Sequence, residues 1–213
     1  MKIKGKFIVF EGIEGSGKTS QIKQLQEWLQ DGGLGKPINV LTTREPGGTN
    51  LGKKLRSLLL EGEEIASRSE LLLYAADRAE HVNQFLKPHL EKGTTILCDR
   101  FTDSTIAYQG YGRGLDLDLI QQLNTIASDG LEIDFTFWLD VKVETGLNRI
   151  QQRGKRDRIE KLNIDFHERV KKGYNELANK FCHRITKIDS NQEESHVQAE
   201  IRSVLLAQWQ NNN

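Results

Sequence analysis

A glycine-rich segment constrains this chain more than any other feature. Residues 12–19 read Gly-Ile-Glu-Gly-Ser-Gly-Lys-Thr and directly follow a short apolar run at 6–10. After them, apolar residues recur at helical spacing, namely Ile22, Leu25, Trp28 and Leu29. The segment fits the pattern G-x-x-x-x-G-K-[ST], in which backbone N–H groups surround an anion at the positive end of a helix dipole. The sequence therefore predicts a strand, a phosphate-binding P-loop and a helix.

The rest of the chain repeats this alternation of strand and helix patterns. Short apolar runs of strand length lie at 6–10, 40–43, 95–98, 135–139 and 185–188. Helical stripes separate or follow them, as in Phe166, Val170, Tyr174, Leu177 and Phe181, and in Val197, Ile201, Val204 and Leu205. We expect an α/β fold in which a five-stranded parallel sheet carries helices on both faces, within a single domain over residues 1–213. Ligands should bind beyond the carboxyl ends of the strands.

The bulk composition limits the partners and the compartment. Lys plus Arg and Asp plus Glu both number 30, so no net charge draws the chain to nucleic acid or to anionic lipid. Cys98 and Cys182 have no metal-ligand spacing, which favours reduced thiols. The four-residue apolar run near the N-terminus is too short for a signal peptide, and no stretch approaches the roughly 18 apolar residues of a membrane span. We expect a cytoplasmic protein without a nucleic-acid or membrane partner.

Four residues near the strand ends have the chemistry of a phosphate site. Lys18 should reach the β and γ phosphates, and the Thr19 hydroxyl should hold Mg²⁺. Asp99 follows the strand at 95–98, where a carboxylate steadies Mg²⁺, and Arg100 beside it could contact a phosphate in bidentate fashion. An ordinary Asp–Arg ion pair is the alternative interpretation of these two residues.

Glu14 is unexpected in a phosphate-binding loop, because a carboxylate repels phosphates. Two interpretations stay open from this position alone. The side chain is either a solvated loop acid or a hydrogen-bond acceptor for a sugar hydroxyl of a second ligand.

A basic segment at 153–158 supplies further cations: Arg153, Lys155, Arg156 and Arg158. Most charge runs are solvated faces. Here, however, cations would neutralise the charge that spreads over a transferring phosphoryl group, and a closing segment would exclude water. We interpret residues 152–162, approximately, as a short mobile lid.

Several motifs in a fixed order resemble one family of nucleoside monophosphate kinases, the thymidylate kinases. Besides the loop, they comprise residues 43–49 (TREPGGT), 74–79 (YAADRA), 99–101 (DRF) with Ser104, 107–110 (AYQG), 157–160 (DRIE) and 166–170 (FHERV). The resemblance spans residues 6–174. It implies that the chain transfers the γ-phosphoryl group of ATP to dTMP, giving dTDP for dTTP biosynthesis, with Mg²⁺ as cofactor. It also implies a homodimer.

The resemblance assigns roles to individual positions. ATP would bind to Gly12, Ile13, Glu14, Gly15, Ser16, Gly17, Lys18 and Thr19. For dTMP, the assigned residues are Glu14 (3′-hydroxyl), Tyr74 (stacking on thymine), Arg78 (base carbonyl), Arg56 and Arg100 (phosphate), Thr105 and Gln109 (polar contacts) and Tyr108 (crowding at the 2′ position). Without the resemblance, Tyr74 in its apolar run would be interpreted as a core aromatic. Its spacing of i, i+4 from Arg78 independently places both on one helix face.

One position departs from part of the family. Some members carry a catalytic arginine after the loop acid, whereas this chain has Gly15. The cation would then come from the lid, and we favour Arg153 and Arg158 while Arg156 stays open. The predicted catalytic residues are therefore Lys18, Arg100, Arg153 and Arg158. The acceptor phosphate is largely dianionic at neutral pH and needs no general base, which agrees with histidines that share no motif.

Two other functions stay open at this point. A deoxynucleoside or UMP/CMP kinase could share the scaffold, with Glu11 or Glu14 as the base for a hydroxyl acceptor. A non-catalytic, ATP-gated switch is a second class; the sequence lacks the N-K-x-D signal of a guanine-specific switch. Turnover with dTMP, thymidine or no acceptor separates the three.

Overall fold

The described residues, 5–154 and 156–211 of a computed structural model, build one parallel sheet. Its strands are β1 (Phe7–Glu11), β2 (Val40–Arg44), β3 (Thr95–Asp99), β4 (Phe135–Asp140) and β5 (Ile185–Asp189). They lie in the order β2-β3-β1-β4-β5, and every neighbouring pair is parallel. The predicted α/β fold with five parallel strands is confirmed, with each strand end within one residue of the expected one.

Nine α-helices connect and cover the strands in the described part of the chain. They are α1 (Lys18–Gln30), α2 (Asn50–Glu61), α3 (Ser67–His81), α4 (Lys87–Glu91), α5 (Thr102–Thr105), α6 (Leu117–Ser128), α7 (Val143–Arg153), α8 (Ile164–Lys180) and α9 (Glu194–Asn211). Two π-helical segments, Val82–Leu86 and Ile106–Gly112, extend α3 into α4 and α5 toward α6. The three helical stripes coincide with α1, α8 and α9, although Phe181 caps α8 rather than lying in it. Among these helices, none is both long and apolar enough to cross a bilayer.

Alternation along β1 divides the core between the two sheet faces. Ile8 and Phe10 pack with residues of α1 and α9, whereas Phe7 and Val9 pack on the opposite face with Val82 and its neighbours. This is the expected result of the two-residue side-chain period of a strand that is buried on both faces.

The ends of β1, β2 and β3 are joined by backbone hydrogen bonds. Arg100 N donates to Phe10 O, and Glu45 N donates to Asp99 O, both over 2.9 Å. The Glu45–Pro46 peptide bond is cis, a state that the sequence did not reveal. These contacts bring the glycine-rich loop, residues 45–47 and Asp99–Arg100 to one edge of the sheet. The lid prediction falls mainly on the connection between α7 and α8, and Lys155 lies outside the described residues.

Candidate active site

A cavity of about 410 Å³ opens at the carboxyl ends of β1, β2 and β3. Most of the site residues predicted from the sequence line it: Glu14, Gly15, Ser16, Gly17, Lys18, Thr19, Arg56, Tyr74, Arg78, Asp99, Arg100, Thr105, Tyr108, Gln109 and Arg153. Three predicted site residues are not among the lining residues: Gly12, Ile13 and Arg158. Residues separated by up to 139 positions, from Glu14 to Arg153, thus meet in one cleft.

Lys18 is buried at the centre of the glycine-rich loop. Its Nζ donates to the carbonyl oxygens of Gly12 and Ile13, each over 3.0 Å, and to Ser16 Oγ over 3.3 Å. Burial, followed by the charge of Arg100, lowers the pKa of Lys18 to about 8. The ammonium group is therefore poorly compensated by the protein, and an anion beside it would be strongly favoured.

Close packing explains why Gly15 carries no side chain. Its φ is 71°, and a Cβ there would lie 2.2 Å from the carbonyl oxygen of Gly146 in α7. A Cβ at Gly146 would likewise lie 2.6 Å from Glu14 O. The two backbone segments are therefore in close contact, and neither has room for a side chain. A loop arginine at position 15 does not fit this arrangement. The expectation that the lid side supplies the extra cation remains consistent with it.

Glu14 is an ion-paired residue rather than a solvated acid. Its Oε1 accepts hydrogen bonds from Arg100 Nη2 over 2.8 Å and from Tyr108 Oη over 2.7 Å. His167 Nδ1 lies 3.6 Å from the other oxygen, Oε2, which has no hydrogen-bond partner among the described residues. Burial alone would raise the pKa of Glu14, but the charge of Arg100, the His167 contact and Lys18 outweigh it and hold the pKa at about 2.

Arg100 links the loop to the second phosphate-binding element. It occupies the left-handed region with φ 71°, which is unusual for a residue with a Cβ. Its guanidinium donates to four groups: Gly12 O, Ser104 Oγ, Tyr174 Oη and Glu14 Oε1. It also lies over the Tyr108 ring, 4.8 Å from the centroid. The side chain is only 17% exposed, so its position is fixed before any ligand arrives.

A buried carboxylate, Glu11, completes the polar cluster behind Arg100. It accepts from Phe101 N over 2.9 Å, from Ser104 N over 3.2 Å and from Tyr174 Oη over 2.7 Å. Burial and then the nearby Asp103 charge raise the pKa of Glu11 to about 7, against a lowering by Arg100. The sequence suggested Glu11 only as an alternative base for a hydroxyl acceptor, but Glu11 does not line the cavity.

The far end of the cavity combines buried polar side chains with the aromatic ring of Tyr74. Arg78 is fully buried and donates to Glu45 Oε2, Thr105 Oγ1, Asn124 Oδ1 and Phe101 O. Gln109 donates to Glu70 over 2.8 Å. Tyr74 and Arg78 both line the cavity from α3, as their i, i+4 spacing predicted.

Two further cations, Arg44 and Arg56, lie close to each other at the wall of the cavity. Arg56 Nη1 donates to Pro46 O over 3.0 Å, next to Arg44, which also lines the cavity. Burial and the charge of Arg44 lower the pKa of Arg56. This mutual repulsion between neighbouring guanidinium groups favours an anion between them.

The lid cations differ in their surroundings. Arg153 lines the cavity with a largely exposed side chain and donates to Glu160 Oε1 over 2.5 Å. Arg158 instead lies against α2 and α3, where it donates to Leu59 O over 2.8 Å and to Glu70 Oε2 over 2.6 Å. Of the two favoured lid residues, only Arg153 faces the cavity in this structure.

Several side chains at or beside the site, among them the following five, were not predicted as site residues. Arg44 and Arg149 line the cavity, and Glu11, Tyr174 and His167 lie behind Glu14 and Arg100. Arg44 lies within the 43–49 motif, and that position was the available signal. Tyr174 lies in an apolar stripe, which predicts only a buried ring, whereas His167 lies within the 166–170 motif, and its place in that motif was the available signal.

The strand–loop–helix unit, the Asp99–Arg100 pair at the end of the neighbouring strand and a cavity that extends from the loop to α3 define a P-loop nucleotide kinase. The family model described as thymidylate kinase matches residues 10–201. The chain belongs to the thymidylate kinase family. It accordingly phosphorylates dTMP to dTDP in dTTP synthesis, with ATP as the phosphoryl donor.

Individual relatives agree over nearly the whole chain. The chain is 55% identical to a thymidylate kinase of Trichodesmium erythraeum, over 96% of this chain and 98% of the relative. It is 56% identical to one of Nostoc sp., over 96% and 99%. The crystal structure of thymidylate kinase from Ehrlichia chaffeensis superposes with a TM-score of 0.76 at 40% identity, covering 94% of this chain and 98% of that one. These similarities favour dTMP over the UMP/CMP and nucleoside acceptors, and an enzyme over a switch.

Proposed function

We propose that the dTMP kinase reaction in this chain proceeds by alignment and charge neutralisation, without a protein general base. The observation that carries this proposal is the convergence of Lys18, Arg100 and Glu14 at one place in the cavity, with Tyr74 and Arg78 at its other end. ATP would lie along the glycine-rich loop, and dTMP would extend from Arg100 toward Tyr74. The two substrates would then meet at the Lys18 and Arg100 side chains.

Lys18 and Arg100 would hold two anions together that otherwise repel each other. The acceptor oxygen belongs to a phosphate that is already mostly dianionic at neutral pH, so no proton must be removed before attack. Catalysis then consists of orientation plus stabilisation of the charge that spreads over the transferred group. Arg56 and Arg44 would grip the acceptor phosphate from the opposite side, where their own repulsion favours an anion.

Thr19 and Asp99 fit the role of Mg²⁺ ligands. Asp99 Oδ1 is buried and, within the described part of the chain, has no hydrogen-bond partner. Both residues line the same cavity beside Lys18. Two protein ligands are usual for Mg²⁺, because substrate phosphates and water fill its remaining coordination positions. When bound, the ion would neutralise β- and γ-phosphate charge.

Arg153 is our proposed lid cation. It lines the cavity, and within the described part of the chain Glu160 is its side-chain partner, so rotation of its exposed side chain would bring it to a phosphate. Arg158 stays a candidate, but reaching the phosphates would require it to leave both Leu59 O and Glu70. Arg156 stays open as a third candidate from the same segment.

The role of Glu14 gives a sharp test of how dTMP lies. Its Oε2 is the acceptor that a sugar 3′-hydroxyl would use. We expect Glu14→Gln to lower kcat/KM for dTMP by about tenfold, because an amide accepts more weakly than a carboxylate. The measurement is ADP and dTDP formation from ATP and Mg²⁺, with dTMP and 3′-deoxy-dTMP compared side by side.

With the 3′-deoxy nucleotide, Glu14→Gln should change kcat/KM much less, because the hydroxyl is absent. Equal losses with both nucleotides would show that Glu14 acts on Arg100 rather than on the sugar. Omission of Mg²⁺ from the same assay should stop ADP formation; undiminished turnover would remove the proposed roles of Thr19 and Asp99.

We further propose that the chain is a single domain that forms a homodimer. Leu51 and Leu58 on α2, Leu72 on α3 and Ile126 on α6 are exposed by 45%, 56%, 51% and 74%. These helices pack side by side, α2 on α3 and α3 on α6, so the apolar side chains lie on one group of helices. Sedimentation equilibrium should give twice the chain mass of 24.3 kDa; a monomer mass would contradict the dimer.

A cytoplasmic location, without nucleic-acid or membrane partners, stays part of the proposal. Cys98 and Cys182 are both unpaired, which suits a reducing compartment. The balance of 30 basic and 30 acidic residues gives no general attraction to polyanions. Fractionation of cells that express the tagged protein would test the location.

A further inference from the structure

Glu11 binds two separate parts of the fold from its position at the end of β1. Its Oε1 accepts from Phe101 N and Ser104 N at the start of α5, over 2.9 and 3.2 Å. Its Oε2 accepts from Ser104 Oγ and from Tyr174 Oη on α8, over 2.5 and 2.7 Å. Four donors therefore converge on one buried carboxylate, which satisfies nearly all of its acceptor capacity.

The first consequence concerns the backbone of Arg100. This residue joins β3 to α5 in a left-handed conformation, and such a conformation persists only where its surroundings hold it. The N–H groups at the start of a helix need acceptors, and Glu11 supplies one to Phe101 N and Ser104 N. Glu11 thus fixes the backbone immediately after Arg100.

The second consequence concerns the Arg100 side chain. In its ionised form Glu11 only accepts, and the hydroxyls of Ser104 and Tyr174 then donate to its Oε2 and keep lone pairs free. The two hydroxyl oxygens also lie 2.9 Å from each other. Arg100 Nη1 donates to these same hydroxyl oxygens, over 3.3 Å to Ser104 and 3.2 Å to Tyr174. The orientation that Glu11 gives the hydroxyls therefore makes them acceptors for the guanidinium.

We infer that Glu11 is a positioning residue that holds the guanidinium of Arg100 toward the acceptor phosphate, acting through Ser104 and Tyr174. This inference rests on the proposed role of Arg100. Glu11 does not line the cavity, so it acts on the substrates only through Arg100 and not as a base. The two hydroxyls hold Arg100 Nη1, while Arg100 Nη2 donates to Glu14 Oε1 over 2.8 Å.

Tyr174→Phe is the mildest test, since it removes one hydroxyl and leaves the ring in place. We expect it to lower kcat/KM for dTMP by about tenfold, the effect of one hydrogen bond to a charged group. The KM for ATP should not change, because the loop and Lys18 are untouched. Glu11→Gln should have the same or a larger effect, since its amide would donate to the hydroxyls and turn them away from Arg100.

Tyr111→Phe is the matched control, because the Tyr111 ring packs against Gly173 of α8 outside this cluster. It should leave both KM values and kcat unchanged. Thermal unfolding of each variant, measured alongside, separates a kinetic effect from a general loss of stability. A lower unfolding temperature with normal kinetics in Tyr174→Phe would overturn the inference.

A double-mutant cycle tests whether the effect passes through Arg100. In the Arg100→Lys background, Tyr174→Phe should have almost no further effect on kcat/KM for dTMP. Fully additive losses would overturn the inference while leaving the role of Arg100 intact. If Arg100→Lys alone kept normal activity, the proposed role of Arg100 and the inference would both fail.

Discussion

Lys18→Ala should lower kcat/KM by about 10³-fold, the loss expected when one preorganised group that stabilises transition-state charge is removed. Lys18 Nζ is the only side-chain cation that the glycine-rich loop of residues 12–19 itself contributes, and it lies within 3.0 Å of two loop carbonyls. The measurement is the steady-state rate of ADP formation at varied ATP and at varied dTMP. We expect the ATP affinity and kcat to fall together.

The same variant should not be less stable than the unchanged chain. Burial lowers the pKa of Lys18 to about 8, which means that the folded protein disfavours its charge when no anion is bound. Removing the ammonium group relieves that cost, at the loss of three hydrogen bonds to loop atoms. Thermal unfolding of the nucleotide-free variant checks this point.

Lys23→Ala is the matched control, on the same helix with a side chain that is 76% exposed and pairs only loosely with Glu27. It should leave the kinetic constants unchanged. A Lys18→Ala enzyme that retained most of its activity would show that the ATP phosphates do not lie on this loop. The assignment of residues 12–19 to ATP would then be wrong.

The parts of the molecule that local pattern determines were predictable from the sequence. The loop at 12–19 is contiguous, and its phosphate-binding geometry depends on glycines and a following helix that lie beside it in the chain. Strands β1, β3 and β4 are short apolar runs buried on both faces, so their apolar character predicted their positions within one residue. The edge strands β2 and β5 are only partly buried, but their apolar residues marked them equally well. α1, α8 and α9 followed from their stripes for the same reason.

The contacts behind the cavity were not predictable, because they join residues far apart in the chain. Glu11 and Tyr174 are 163 residues apart, and the residues around each position do not indicate that the two side chains meet. Tyr174 belongs to an apolar stripe and packs in the core with its ring, while its hydroxyl reaches Glu11. A period of 3.6 residues predicts which face is buried, but it does not reveal what one hydroxyl at the end of a buried ring contacts.

Arg158 shows the same limit for a charged residue. Its charge and its place in the basic segment indicated a lid cation, whereas the structure places it on Glu70, 88 residues earlier in the chain. The sequence shows where the cations are along the chain, but it does not show which carboxylates will pair with them. Arg153 and Arg158 were therefore equivalent in sequence and become different only when Glu70 and Glu160 are located.

Arg100→Lys should lower kcat/KM for dTMP by about 10²-fold, although it conserves the charge. The guanidinium makes donor contacts to four groups at once and lies over the Tyr108 ring. An ammonium group has three donors on a flexible stem and does not reproduce this planar geometry. Steady-state kinetics at varied dTMP and at varied ATP would show the loss chiefly on the dTMP side.

The loss should be accompanied by lower stability, unlike that of Lys18→Ala. Glu14 is held as a carboxylate largely by the charge of Arg100, and a misplaced cation leaves that carboxylate buried with less compensation. Arg202→Lys is the matched control, because Arg202 lies over the Trp28 ring between α9 and α1, away from the cavity. Normal kinetics in Arg100→Lys would mean that charge alone suffices at this position, and the fixed geometry around Arg100 would then have no catalytic purpose.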